Sequence, residues 1–144
     1  RWLTLATLPA LASDRPEELV RTAMLRARAC ELLAVEAGLA GRSLDLFLVG
    51  MFSLLEAIIG RPLRELLDEL FLPSDVREAL LEPPPAGGRL GAIYRLVENY
   101  EKGEWEKVSE LAGELGLTVD TVAQRYLEAT GWTEEIFSQI HATA

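Results

Sequence analysis

The residues able to do covalent or metal-assisted chemistry are few in this 144-residue chain. It holds one histidine, His141, and one cysteine, Cys30. A general base or a metal ligand needs organised neighbours in a pocket. His141 lies near the C-terminus and reads as a solvated tail side chain. Ser53 follows Gly50, but the Gly-x-Ser-x-Gly elbow of a serine nucleophile is absent and no histidine is placed to act as its base. Cys30 falls on an apolar helical stripe, where a free cysteine packs as a small hydrophobe, and no cation is evidently placed to lower its pKa. The Leu111–Val122 stretch has the form of a helix-turn-helix: a helix, the Gly116 turn and a second helix capped by Thr118. Its second helix, Val119 to Glu128, offers Gln124 and Arg125 against Asp120 and Glu128, a poor set for base edges and phosphates.

Net charge is −9, with 23 acidic against 14 basic residues. That balance argues against nucleic acid and against anionic lipid as partners. The longest apolar candidate, Leu44 to Ile59, is interrupted by Asp45, Gly50, Ser53 and Glu56 and falls short of the ~18 residues a membrane helix needs. A single cysteine allows no internal disulfide, and with no signal-peptide pattern the expected location is cytoplasmic.

The punctuation that would position these residues is helical throughout. A first apolar helix is expected over Arg1–Ala12. Asp14, with Glu17 three residues on and Pro16 in the first turn, can start a second, which runs to about Ala37 and stops at Gly38. Leu19, Ala23, Ala27, Cys30 and Ala34 recur at steps of three and four and define its buried face. A third helix from Ser43 to Gly60 carries a wide apolar face of Phe47, Leu48, Met51, Phe52, Leu55 and Ile58/Ile59 and is expected to be central. Short helices follow from Pro62 and from Ser74. Pro83 to Gly88 must be a loop. Further helices are expected over Leu90–Tyr100, Trp105–Leu115, Thr118–Thr130 with Gly131 as its stop, and Thr133–Ile140. No segment shows sustained period-two alternation, so no sheet is expected. The whole chain reads as one all-α domain.

Several segments together resemble the HDOD family, the HD-related output domains of bacterial signalling proteins. They are Arg1 to Leu5, Arg26 to Ala34, Phe47 to Ala57, Pro62 to Glu65 and Leu80-Leu81. The pattern is most similar to the branch in which such a domain follows an EAL domain, the fold of cyclic di-GMP phosphodiesterases. The resemblance implies a multi-helix HD-like bundle of which this chain is the C-terminal part, with further helices expected before Arg1. HD phosphohydrolases hold metal with a histidine on one helix, a His-Asp pair on the next and a further aspartate. The matching positions here are Thr22, Ser53 and Leu54, which cannot supply a neutral imidazole and a carboxylate.

The resulting expectation is a regulatory, protein-contacting module of a signalling protein, with no catalytic residues, no metal, no cofactor and no enzymatic activity. Its expected partners are proteins: an upstream EAL domain, and a second copy in a homodimer. Candidate interaction residues are Trp2, Leu5, Leu8, Phe47, Tyr100 and Trp105, although the acidic Glu98–Glu114 stretch also reads simply as a solvated helix face. The alternatives are a residual HD-type metal-dependent phosphohydrolase and a helix-turn-helix DNA-binding regulator.

Overall fold

The computed structural model describes residues 15–143, and helices account for most of them. The expected Arg1–Ala12 helix, the Asp14 cap and the candidates Trp2, Leu5 and Leu8 lie outside the described residues. In chain order the elements are α1 (Arg15–Glu36), a 3-10 turn (Ala40–Arg42), α2 (Ser43–Phe52), α3 (Leu55–Ile59), α4 (Leu63–Asp68), α5 (Ser74–Leu81), α6 (Gly88–Lys102), α7 (Trp105–Glu114) and α8 (Val119–Thr143). No strand occurs among the described residues, so the fold is all-α as the periodicity requires. No helix of the described residues is long and apolar enough to cross a membrane.

Helix α1 is the spine. Its small residues Ala23, Ala27, Cys30 and Ala34 are fully buried, with Leu33 beside them. Small side chains let a second helix approach closely, and α2 does so through Gly50. An ideal Cβ at Gly50 would lie 2.5 Å from the Ala27 backbone nitrogen. Helix α6 closes the core from the other side with Leu90, Ile93, Leu96 and Val97. Arg89 ties two helix ends to it: one Nη2 donates to the Ala37 carbonyl at 2.8 Å and to the Leu115 carbonyl at 3.4 Å. These carbonyls close α1 and α7, where a cation complements the helix dipole.

Three local expectations are corrected. The single helix from Ser43 to Gly60 is two helices, broken at Ser53 and Leu54. The Ser53 hydroxyl donates to the Gly50 carbonyl at 2.7 Å, the local bond by which serine competes with helix continuation. The buried face of α2 is Leu46, Val49 and Gly50; Phe47, Leu48, Met51 and Phe52 are half-buried, and Ile59 is exposed. Arg42 holds the N-cap position of α2, and the Ser43 hydroxyl donates to the Ala40 carbonyl. At the other end, α8 runs without a stop through Gly131. Val122, Ala129, Thr133 and Phe137 continue one buried stripe across it, so tertiary packing overrides the glycine. Thr133, the buried polar residue of that stripe, satisfies its hydroxyl on the Ala129 carbonyl at 2.8 Å.

The α7–α8 turn forms as expected. Gly116 takes a φ of 74°, a left-handed conformation open to glycine, and Thr118 Oγ1 accepts from the Thr121 amide at 3.1 Å as a helix cap.

Candidate functional site

The site is built around Thr22, Ser53 and Leu54, the positions that the resemblance sets against the HD metal ligands. Thr22 lies half-buried on α1, and Ser53 and Leu54 lie half-buried at the α2–α3 break. One helical turn beyond Thr22, Arg26 reaches across this region. Its Nη1 donates to Ser53 Oγ at 3.1 Å. Its Nε donates to both carboxylate oxygens of Glu101 on α6, at 3.1 and 3.0 Å, and its Nη2 donates to Oε1 at 2.8 Å. The two side chains are only 16% and 17% exposed. Burial by itself would lower the Arg26 pKa, but the hydrogen bonds and charge of Glu101 outweigh it and raise the value. The guanidinium is therefore a fixed positive charge.

Around this pair lies a shell of tyrosines and one thiol. Tyr94 donates to Glu98 Oε2 at 2.9 Å. Burial, reinforced by the Glu98 charge, raises the Tyr94 pKa above that of a free phenol. Burial likewise pushes Tyr126 up to about 12, with the Glu101 charge adding to it. Cys30 is fully enclosed and its thiol is raised well above the ordinary range, chiefly by desolvation. This is the inert core cysteine that its place on the apolar stripe implies.

The residues present do not fit a catalytic metal. The neutral Ser53 hydroxyl is shared between the Arg26 guanidinium and the Gly50 carbonyl. A divalent ion at Ser53 would face a guanidinium at hydrogen-bond distance, and like charges so close in a partly buried site repel strongly. Among the described residues no group of three His, Cys, Asp or Glu side chains could hold a metal ion. Chemically the cluster can hold charge and lock α1, α2 and α6 together.

Next to Ser53 an open depression of about 640 Å³ is lined by Ser53, Glu56, Ala57, Gly60, Arg61, Pro62 and Leu63. Its polar groups serve the turn itself: Glu56 accepts from the Leu63 amide at 2.8 Å, and Arg61 pairs with Glu69 at 2.7 Å.

The other sequence candidates separate. Phe47 packs edge-on to Trp132 at 6.3 Å, and the Arg28 guanidinium lies 5.4 Å from the Trp132 ring. Tyr100 and Trp105 come together at 5.4 Å, and Tyr126 joins them 4.6 Å from Tyr100. His141 is not a free tail side chain. It lies in the last turn of α8 with Nε2 3.2 Å from Glu17 Oε1. Arg125, the cation of the helix-turn-helix stretch, is paired with Glu128 at 3.0 Å and lies 3.8 Å from Glu36. Arg26 and Glu101 were not singled out from sequence. The available signal was the spacing of Arg26 one turn after Thr22, beside the alanine stripe.

The raised groups set a pH dependence. A tyrosine or thiol that ionises later in the folded protein stabilises the fold fully below its unfolded pKa. That stability is lost as pH rises through the folded value. The stability that Tyr126 contributes should therefore hold up to about pH 10 and be lost between about pH 10 and 12. Urea midpoints measured across that range check this, and Tyr126→Phe should flatten the decline. An unaltered decline in the variant would remove Tyr126 as its cause.

With this geometry in hand, comparison with known proteins gives two relatives. The chain is 33% identical over 135 residues to the cyclic di-GMP phosphodiesterase CdgJ of Vibrio cholerae, a match covering 94% of this chain and 31% of that protein. It is 29% identical over 142 residues to the uncharacterized protein YuxH of Bacillus subtilis, covering 94% of this chain and 32% of that protein. The chain thus spans about a third of the length of the curated relatives it matches. No protein-family model matches the chain, and no solved structure matches it. The expectation of no enzymatic activity is corrected by the first of these relatives, which is itself an enzyme, a phosphodiesterase of cyclic di-GMP, of which this chain covers 31%.

Proposed function

We propose that this chain is the regulatory, protein-contacting segment of a cyclic di-GMP signalling protein, built on an HDOD-type bundle. The similarity to a cyclic di-GMP phosphodiesterase supports the signalling context. The observation that carries the regulatory part is the Arg26–Glu101–Ser53 cluster. The bundle in this reading is HD-like, and Ser53, one of the positions matched to a metal enzyme's ligands, is instead bonded to the guanidinium of an internal ion pair. In this reading the hydrolysis of cyclic di-GMP is supplied by an EAL domain elsewhere in the same protein, and the bundle acts on it through surface contacts.

Two measurements on the intact protein test the reading. Ser53→Ala should leave cyclic di-GMP hydrolysis within about twofold, because no reacting atom meets that hydroxyl. Deleting residues 15–143 should change the hydrolysis rate by roughly 5- to 150-fold, the span of ordinary allosteric coupling. An unchanged rate on deletion would remove the regulatory role. Stoichiometric Mn, Fe, Ni or Zn that is lost on Ser53→Ala would restore the metal-dependent phosphohydrolase in its place.

A further inference from the structure

We infer that the outer face of α7, with Trp105 at its edge, is a docking surface for a partner protein presenting arginine or lysine side chains. This rests on the regulatory reading above and names the chemistry of its partner.

The first observation is an aromatic shelf with one open side. Trp105 is 58% exposed, yet its indole is held edge-on to Tyr100 at 5.4 Å, and Tyr100 packs against Tyr126 at 4.6 Å. A pre-positioned indole binds a partner with little entropy loss, and its face attracts a guanidinium or ammonium. The helix behind it packs inward through Val108 and Ala112, with Leu111 half-buried against the same core, and leaves Glu106, Glu110 and Glu114 exposed.

The second observation is how charge is distributed. Every arginine whose side chain is described is engaged within the chain. Arg21, Arg26, Arg28, Arg42, Arg61, Arg64, Arg77 and Arg125 pair with carboxylates. Arg89 and Arg95 donate to backbone carbonyls. On α7, by contrast, Glu106, Glu110 and Glu114 follow one another at four-residue spacing, exposed, and make no ion pair with any described side chain. Like charges at that spacing weaken a helix. Local sequence that works against its own element, beside an exposed aromatic, is the mark of a surface kept for a partner.

Charge complementarity selects the occupant. The negative face repels nucleic acid and anionic lipid alike. A second copy of this chain fits poorly: its net charge is −9, its described arginines are already committed, and of its two lysines, Lys102 and Lys107, the second lies on this same helix among the glutamates. A basic segment of a different protein satisfies both the indole and the carboxylates.

The test uses the intact protein and a fluorescein-labelled helical peptide of arginine and leucine as the probe, read by fluorescence anisotropy. The peptide should bind at about 50 mM salt and weaken as salt rises. Trp105→Ala should weaken binding at least about tenfold, and so should the double reversal Glu106→Lys/Glu110→Lys. The double reversal Glu78→Lys/Glu135→Lys, which moves net charge equally on other helices, should leave it within about twofold. The reversals lie on exposed positions, so both proteins keep their fold, and circular dichroism verifies this. Equal loss in the two reversals, indifference to Trp105→Ala, or no binding overturns the docking surface. Cyclic di-GMP hydrolysis on the same preparations keeps the two readings apart. A deletion effect that persists while peptide binding fails the test sinks only this inference.

Discussion

Arg26→Ala should destabilise the fold by roughly 3–5 kcal/mol, the usual cost of removing one member of a buried ion pair. The cost comes mostly from what is left behind. Glu101, 17% exposed, would lose its bidentate donor and keep its charge beside Glu98 and the phenol of Tyr94. Ser53 would lose a donor at the break between α2 and α3. Arg26→Lys should recover only part of the loss, because an ammonium cannot span both carboxylate oxygens and the Ser53 hydroxyl as the planar fork does. The paired replacement Arg26→Met/Glu101→Leu should be far milder than either single truncation, since it removes both charges and retains volume. Urea denaturation of the parent, Arg26→Met, Glu101→Leu and the paired variant completes a double-mutant cycle. A coupling near zero would mean that the pair is solvated and the three helices are joined by apolar packing alone.

What could be read from the sequence was local, and the reasons are physical. The alanine and cysteine stripe of α1, the proline loop before α6, and the Gly116 turn with its Thr118 cap each depend on residues within one or two turns of each other. The structure reproduces them. The break at Ser53 was not legible because leucine, isoleucine and phenylalanine continue across it, and only a hydroxyl-to-carbonyl bond marks the place. The continuity of α8 was not legible because glycine ordinarily ends a helix. Here Ala129, Thr133 and Phe137 pack on both sides of it. The ion pair at the candidate site joins residues 75 apart in sequence, and no spacing rule reaches that far. Ser53 could be named from the resemblance, but the guanidinium that fills its surroundings could not. The cyclic di-GMP context was implied by the resemblance that Phe47 to Ala57 carries, whereas the correction of the no-enzyme expectation came from the relative.

Gly50→Val should leave the protein largely unfolded, and Gly50→Ala should cost about 1–3 kcal/mol or more, while alanine at two other helical glycines should stabilise. The first Cβ atom already decides the case. Placed on Gly50 it would lie 2.5 Å from the Ala27 nitrogen and 2.6 Å from both the Ala27 Cα and the Arg26 carbonyl carbon. Carbon atoms in good contact sit at about 3.5–4.0 Å. Those three atoms are α1 backbone and cannot turn aside as a side chain would, so α1 and α2 must part by about 1 Å. Parting them opens the packing of two helices whose Ala23, Ala27, Cys30, Leu46 and Val49 are all fully buried. Helix propensity favours alanine over glycine by about 0.8–1.0 kcal/mol, which is smaller than the usual overpacking penalty. At Gly113 and Gly131 a Cβ meets nothing within 4 Å, so the propensity gain should appear there undiminished, near 0.5–1 kcal/mol. Chemical denaturation of the three alanine variants reads opposite signs from one substitution type. The same displacement would carry Arg26 away from Ser53, because the clash involves the Arg26 backbone itself. A Gly50→Ala protein as stable as the parent would show that α1 and α2 can separate without loss, and that their close approach does not position the Arg26 cluster.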